Sequence, residues 1–101
     1  MFEQGLFITA ELRVKPDYNL EQAIVAIEAF CQGMNSEPGC SMAVPLQDKS
    51  DPYRFIFWER YDSQEAFDRH FHEKHTQHFI QLGVTDLVQA FETQLVTQER
   101  K

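Results

Sequence analysis

The sequence predicts an α+β fold, a ferredoxin-like βαββαβ sandwich formed by one domain over residues 1–101. Three observations predict it. A clean two-residue alternation lies near the N-terminus, a four-turn apolar stripe at helical spacing follows it, and a later strand carries large apolar groups on both faces. The length of 101 residues suits a single domain, and 43% hydrophobic with 25% charged residues is an ordinary globular mix, so a folded core is expected rather than disorder.

The elements follow in order. Over residues 6–15, Ile8, Ala10, Leu12 and Val14 form one face, and Thr9, Glu11, Arg13 and Lys15 the other. That is the period of a half-buried strand, ended by Pro16-Asp17. Leu20, Ala23, Ile24, Ile27, Phe30, Cys31 and Met34 then recur at three- and four-residue steps, with Asn19 as N-cap and Glu21 in the first turn. Glu37-Pro38-Gly39 stops this helix as a type II turn, because Pro38 presets φ and Gly39 accepts a positive φ. A second strand runs over about 40–47, with Cys40, Met42, Val44 and Leu46 on one face. Pro45 places it at a sheet edge or bulge. The third strand, over 53–61, points Phe55, Phe57, Glu59 and Tyr61 one way and Arg54, Ile56, Trp58 and Arg60 the other. Asp62 or Ser63 caps a second helix, with Asp62 and Glu65 at capping-box spacing. Ala66, Phe67, His70 and Phe71 form its inner face. After a break near Glu73-Lys74, a short helix carries His75, His78, Phe79 and Leu82 inward and ends at Gly83. A last strand is expected from Phe91 to Thr97.

Two helices cover one face of a four-stranded sheet. The other face, bearing Ile56 and Trp58, is expected to be buried against a second copy in a two-fold homodimer. The formal charge of −7, with no basic cluster, argues against a nucleic-acid partner. No segment reaches the ~18 apolar residues of a membrane span, and no secretory signal is visible. Cys31 and Cys40 read as reduced packing residues, and the expected location is cytoplasmic.

The densest chemical signal lies between Phe57 and Phe79. Phe57-Trp58-Glu59-Arg60-Tyr61 ends the third strand, Ser63-Gln64-Glu65-Ala66-Phe67-Asp68-Arg69-His70 follows, and a second histidine, His75, precedes Phe79. Upstream, Lys15-Pro16 closes the first strand and Glu37-Pro38-Gly39-Cys40 opens the second. In this order and spacing, over roughly residues 6–97, the chain resembles the antibiotic-biosynthesis monooxygenase (ABM) family. The resemblance implies a dimeric α/β barrel with a pocket between sheet and helices in each subunit. It also implies oxidation of electron-rich phenols or quinols by O₂ without metal, flavin or other cofactor. Other members degrade haem, isomerise phosphorylated autoinducer-2, or have no known activity. Haem-degrading relatives carry an Asn on the first strand, whereas here the first Asn is Asn19, in the following turn.

The residue chemistry gives the same direction. A quinol reacts with O₂ once deprotonated, so a protein need supply only a base and a dry, apolar, O₂-accessible pocket. His70 or His75 could be the base, Glu59 could orient the imidazole, and Trp58 or Tyr61 could bound the aromatic ring together with Phe57, Phe67, Phe71 and Phe79. The same histidines and Glu59 also fit hydrogen-bonded core roles. His72-Glu73-Lys74-His75 is one residue short of the zinc-protease spacing, and His75 with His78 lacks an accompanying acidic ligand, so no metal is expected. The expected function is therefore a cofactor-independent monooxygenase of small quinol-like or polyphenolic molecules. Two alternatives stand beside it. One is an isomerase of a phosphorylated sugar, with Arg54, Arg60 and Arg69 as anion ligands. The other is a non-catalytic dimeric ligand-binding or stress module.

Overall fold

The computed structural model describes residues 3–96. Its order is β1 (Leu6–Val14), α1 (Leu20–Asn35), β2 (Cys40–Gln47), β3 (Arg54–Tyr61), α2 (Gln64–His70), α3 (Lys74–Leu82) and β4 (Thr85–Thr93). The four strands form one sheet in the order β2-β3-β1-β4, antiparallel throughout. This is the expected α+β, ferredoxin-like topology, with the second helical segment divided in two. No helix is long and apolar enough to cross a membrane.

The alternation in β1 has its consequence in burial: Ile8, Ala10, Leu12 and Val14 all enter the core. The apolar stripe of α1 buries Ala23, Ile27, Phe30, Cys31 and Met34 against the same sheet face. Asn19 caps α1 by accepting from the Gln22 backbone N–H at 2.9 Å. At the other end, the Asn35 side chain accepts from Ala43 N and donates to Ala43 O, pinning α1 to β2. Ser63 is the cap of α2, accepting from Ala66 N at 3.1 Å. Asp62 takes no part in a capping box. Its carboxylate accepts from Arg60 Nη1 at 2.7 Å.

Three expectations change. The last strand is Thr85–Thr93, not Phe91 to Thr97, and Thr97 lies outside the described residues. A register shift explains why alternation misplaced it. Glu11 pairs with Gln89 but Leu12 pairs with Leu87, leaving Val88 as an extra residue that sets two apolar side chains in sequence. A similar shift between Cys40 and Met42 splits the expected face of β2: Cys40 enters the core while Val44 and Leu46 are exposed. In α3 the buried positions are Thr76 and Phe79, whereas His78 and Leu82 are exposed.

Both edges bear on the site. Pro45 sits on β2, the edge strand, where its missing N–H costs no ladder bond. β4 is the other edge, and all its residues except Thr85 are exposed. The sheet face away from the helices shows Trp58 at 50% exposure with Val44, Leu46 and Phe91 also exposed.

Candidate active site

The helices do not fill the space above β1, β3 and β4. A cavity of about 340 Å³ remains there, within the ~300–1,000 Å³ range of small-molecule sites. Its floor is Ile8, Ala10 and Leu12 of β1 with Phe57 and Glu59 of β3. Phe30, Phe67, Phe71, Thr76 and Phe79 wall it from the helices, and Leu87 and Ala90 bound it from β4. Phe30 and Phe79 stack with centroids 4.4 Å apart, which holds α1 against α3 at the cavity wall. Nearly all the lining is apolar. Its titratable groups are Glu59 and His70, and no Lys or Arg lines it among the described residues.

His70 ends α2 and is buried, and its orientation comes from a residue distant in sequence. The Glu37-Pro38-Gly39-Cys40 turn closes by a 3.2 Å hydrogen bond from Cys40 N to Glu37 O, with Gly39 at φ +88°, the type II geometry expected. Gly39 packs so closely on α2 that an added Cβ would stand 2.7 Å from Ala66 Cβ. This docking places Glu37, itself 7% exposed, beside His70 one turn further along α2. His70 Nδ1 lies 2.8 Å from Glu37 Oε2, and Thr76 Oγ1 is 3.3 Å from the same nitrogen. A carboxylate oxygen can only accept, so Nδ1 carries the hydrogen, and in the neutral imidazole Nε2 is then the nitrogen with the lone pair. Nε2 makes no hydrogen bond among the described residues, and no fully buried side-chain nitrogen or oxygen there lacks a partner. Nε2 is therefore accessible, on a side chain that lines the cavity.

His75 contacts the same carboxylate from the other side, Nε2 to Glu37 Oε2 at 2.5 Å. It does not line the cavity. The expectation that His70, His75 and Glu59 converge on one pocket is thus corrected: His70 and Glu59 line it, and His75 stands behind Glu37. Glu59 does not orient an imidazole either. Its Oε1 accepts from the Tyr61 hydroxyl at 2.8 Å. Burial raises the Glu59 carboxyl above the usual carboxylate range, and the Tyr61 hydrogen bond and nearby His70 only partly oppose this. Tyr61 is completely buried, its hydroxyl engaged with Glu59, and it does not line the cavity. Trp58 faces the opposite side of the sheet. Of the aromatic residues expected to bound a ligand, Phe57, Phe67, Phe71 and Phe79 line the cavity.

Glu37 is the participant that residue chemistry overlooked. It was visible only as part of a turn motif, 33 residues from His70, because its role depends on that turn docking on α2. Glu37 Oε2, His70 Nδ1 and His75 Nε2 lie within 4.8 Å of one another, a donor set that could be drawn onto a divalent cation. Ligand atoms held tetrahedrally about 2.1 Å from zinc stand roughly 3.4 Å apart. The 2.8 Å separation is that of a hydrogen bond, and the 2.5 Å one is shorter still, so both nitrogens lie closer to the carboxylate oxygen than two ligands of one zinc would. The cysteines are free and buried, and burial pushes the Cys31 thiol up to about 12 and the Cys40 thiol up to about 11. Neither is poised as a nucleophile.

Fold and site together define a ferredoxin-like α+β protein with one largely apolar cavity and a carboxylate-oriented histidine in its wall. Residues 5–82 match the family described as antibiotic biosynthesis monooxygenase, and the chain belongs to that family. Among curated proteins it is 28% identical over 79 residues to the uncharacterized protein sll1783 of Synechocystis. That match covers 78% of this chain and 53% of the relative, so the chain spans about half the length of the curated relative it matches. Among solved structures, protein YJCS is similar with a TM-score of 0.83 at 21% identity, over 93% of this chain and all of that one. PA3566 from Pseudomonas aeruginosa has a TM-score of 0.76 at 22% identity, covering 94% and 95% of the two chains. A structure described as antibiotic biosynthesis monooxygenase gives 0.76 at 19% identity, covering 91% and 97%. These likenesses concern the fold.

Proposed function

We propose that this protein is a cofactor-independent monooxygenase of small, uncharged phenols or quinols, with His70 as the general base. The observation that carries the reading is the accessible His70 Nε2 in a largely apolar lining, its opposite nitrogen engaged by Glu37. A phenolic hydroxyl placed against Nε2 loses its proton to the imidazole, and Glu37 offsets the positive charge that forms. The phenolate passes one electron to O₂. Superoxide and the phenoxyl radical recombine at a ring carbon bearing hydrogen, forming a C–O bond. The peroxide takes the proton back from His70. Loss of the ring C–H proton with cleavage of O–O then releases water and leaves a quinone carbonyl. One oxygen atom enters the product and the other leaves as water, and the substrate supplies both electrons. An apolar cavity admits O₂ and keeps water from the radical pair.

The lining also bears on the alternatives. A phosphorylated sugar needs cationic or multiple N–H ligands, and among the described residues the cavity offers no Lys or Arg. Arg54 is engaged with Glu11 and Asp48, and Arg60 with Asp62, Ser41 and backbone carbonyls; neither lines the cavity. We further propose that two copies associate through the open sheet face carrying Trp58, Val44, Leu46 and Phe91, because an exposed apolar patch of this kind is one that monomers avoid.

The test is oxygen consumption across a panel of hydroquinones, naphthols and related phenols, with product hydroxylation followed by mass. Uptake is expected for uncharged members, and His70→Ala should lower kcat by on the order of 100-fold or more. Folded wild-type protein that consumes no oxygen with any of them would overturn the reading.

A further inference from the structure

Glycine disfavours a helix relative to alanine, yet α1 carries Gly33 in its last turn. Its backbone does not require glycine, since the positive-φ glycines among the described residues are Gly39 and Gly83. What requires it is His75. A Cβ on Gly33 would fall 2.5 Å from His75 Cγ and 2.8 Å from His75 Cβ and Cδ2, far inside van der Waals contact. The imidazole of His75 therefore rests directly on the helix backbone where a side chain would otherwise stand. From that seat its Nε2 reaches Glu37 Oε2, the oxygen that also accepts from His70 Nδ1.

We propose that Gly33 and His75 form a positioning device for Glu37 and, through it, for the tautomer of His70. The proposal rests on the reading of His70 as base and adds His75 and Gly33 to it as positioning residues. A carboxylate with one donor can rotate about its side-chain torsions. A carboxylate held between two imidazoles cannot leave either without losing a hydrogen bond in a buried site. Holding Oε2 against Nδ1 keeps the His70 hydrogen on that nitrogen and, in the neutral imidazole, the lone pair on Nε2. His75 is suited to the task because its side chain is 23% exposed and lies outside the cavity lining, whereas those of Glu37 and His70 are 4% and 5% exposed. It braces the carboxylate without entering the space a ligand would use.

Three variants test this: His75→Ala, His75→Gln and Gly33→Ala. Each is read by ¹⁵N NMR of the His70 ring nitrogens in histidine-labelled protein, and by kcat and KM for oxygen uptake on a phenol accepted by the wild type. In the wild type, His70 Nε2 should show the unprotonated, pyridine-type signal. His75→Ala and Gly33→Ala should shift it toward a mixture of tautomers and lower kcat on the order of 10- to 100-fold, with KM nearly unchanged because no cavity wall is altered. His75→Gln, which still presents an N–H, should recover much of both signals. Alanine at position 33 would favour the helix if the seat had no role, so a Gly33→Ala protein with wild-type His70 signals overturns the proposal. So does His75→Ala with those signals unchanged. If His75→Ala does not fold, the Gln and Gly33 variants decide the matter. If the wild type consumes oxygen with no phenol, the base reading fails, while the ¹⁵N signals still decide whether His75 and Gly33 set the tautomer.

Discussion

Truncating Glu37 to alanine should destabilise the protein far more than its place in a turn would suggest. The backbone of the turn would survive: Pro38 and Gly39 set its geometry, and the Cys40 N to Glu37 O bond needs no side chain. What is lost is the acceptor of two imidazole N–H groups. His70 Nδ1 is on a side chain 5% exposed, so its hydrogen would be left without a strong acceptor in a site that water barely reaches. Thr76 Oγ1, at 3.3 Å, is a poor substitute. An unsatisfied buried group costs roughly 1–3 kcal/mol, and the removed bonds are to a charged acceptor. His75 is partly solvated, so its share is smaller. The sum is about 2–4 kcal/mol, a substantial part of the ~5–15 kcal/mol by which a domain is stable. At roughly 4–8 °C per kcal/mol for a domain of this size, the melting temperature should fall by about 8–32 °C. Urea unfolding followed by far-UV circular dichroism at fixed protein concentration measures it. Glu37→Gln, whose amide oxygen still accepts, should lose clearly less. A Glu37→Ala protein within about 0.5 kcal/mol of wild type, the range of an ordinary surface substitution, would show that the two imidazoles do not depend on this carboxylate and would refute the reasoning.

Two further outcomes are expected. Glu59 has its carboxyl raised by burial, so between the unfolded value of about 4.3 and the higher folded one the native state holds a proton that the unfolded chain has released. Its contribution to stability therefore falls as pH rises through that window, and above it the penalty for the buried charge is complete. Glu59→Gln, which can still accept from Tyr61, should be more stable than wild type at pH 7 and lose that advantage near pH 4. Thermal melts at the two pH values check this, and an advantage that persists at pH 4 would contradict it. Trp58→Asp should weaken self-association by placing an unpaired charge in the apolar contact, and sedimentation should show the wild type as a dimer at micromolar concentration. A wild-type species of 11.9 kDa would refute the dimer.

Much of the fold was legible because its signals are local. Alternation in β1, the stripe in α1, the Pro38-Gly39 turn, the Pro45 edge strand and the Gly83 cap each depend on a few adjacent residues, and each is present in the structure. What failed were the places where one extra residue breaks a period. Val88 conceals β4, and the shift after Cys40 turns Met42, Val44 and Leu46 to the side opposite Cys40. Alternation counts residues, and a bulge changes the count without marking the sequence.

The site was less legible because its logic is tertiary. The parity of β3 does place Phe57 and Glu59 beneath the helices, and helical spacing does bring Phe67, His70 and Phe71 to one side, so this part of the cavity lining follows from period alone. Which acid meets which histidine does not follow. Glu59 is on the correct face and near His70, yet a closer partner, Tyr61, lies two residues away on the same side of the strand and takes its hydrogen bond. Glu37 comes from a turn between other elements, and its approach depends on Gly39 lying against Ala66. The single backbone feature that points to His75 is also a residue with no side chain. Gly33 interrupts an otherwise ordinary helix face, and in sequence it reads only as a weak position. Its meaning is the volume it leaves empty, and a sequence does not record which neighbour occupies that volume. Here the neighbour is an imidazole whose far nitrogen meets the carboxylate already bound to His70. A small residue in α1, a polar turn before β2 and two histidines on separate helices thus become one hydrogen-bonded group only when three helices and a turn pack together. The chemistry proposed for His70 is for this reason a property of the packed fold, and a substitution that displaces α1 from α3 should act on it through Glu37 as well as through the Phe30–Phe79 wall of the cavity.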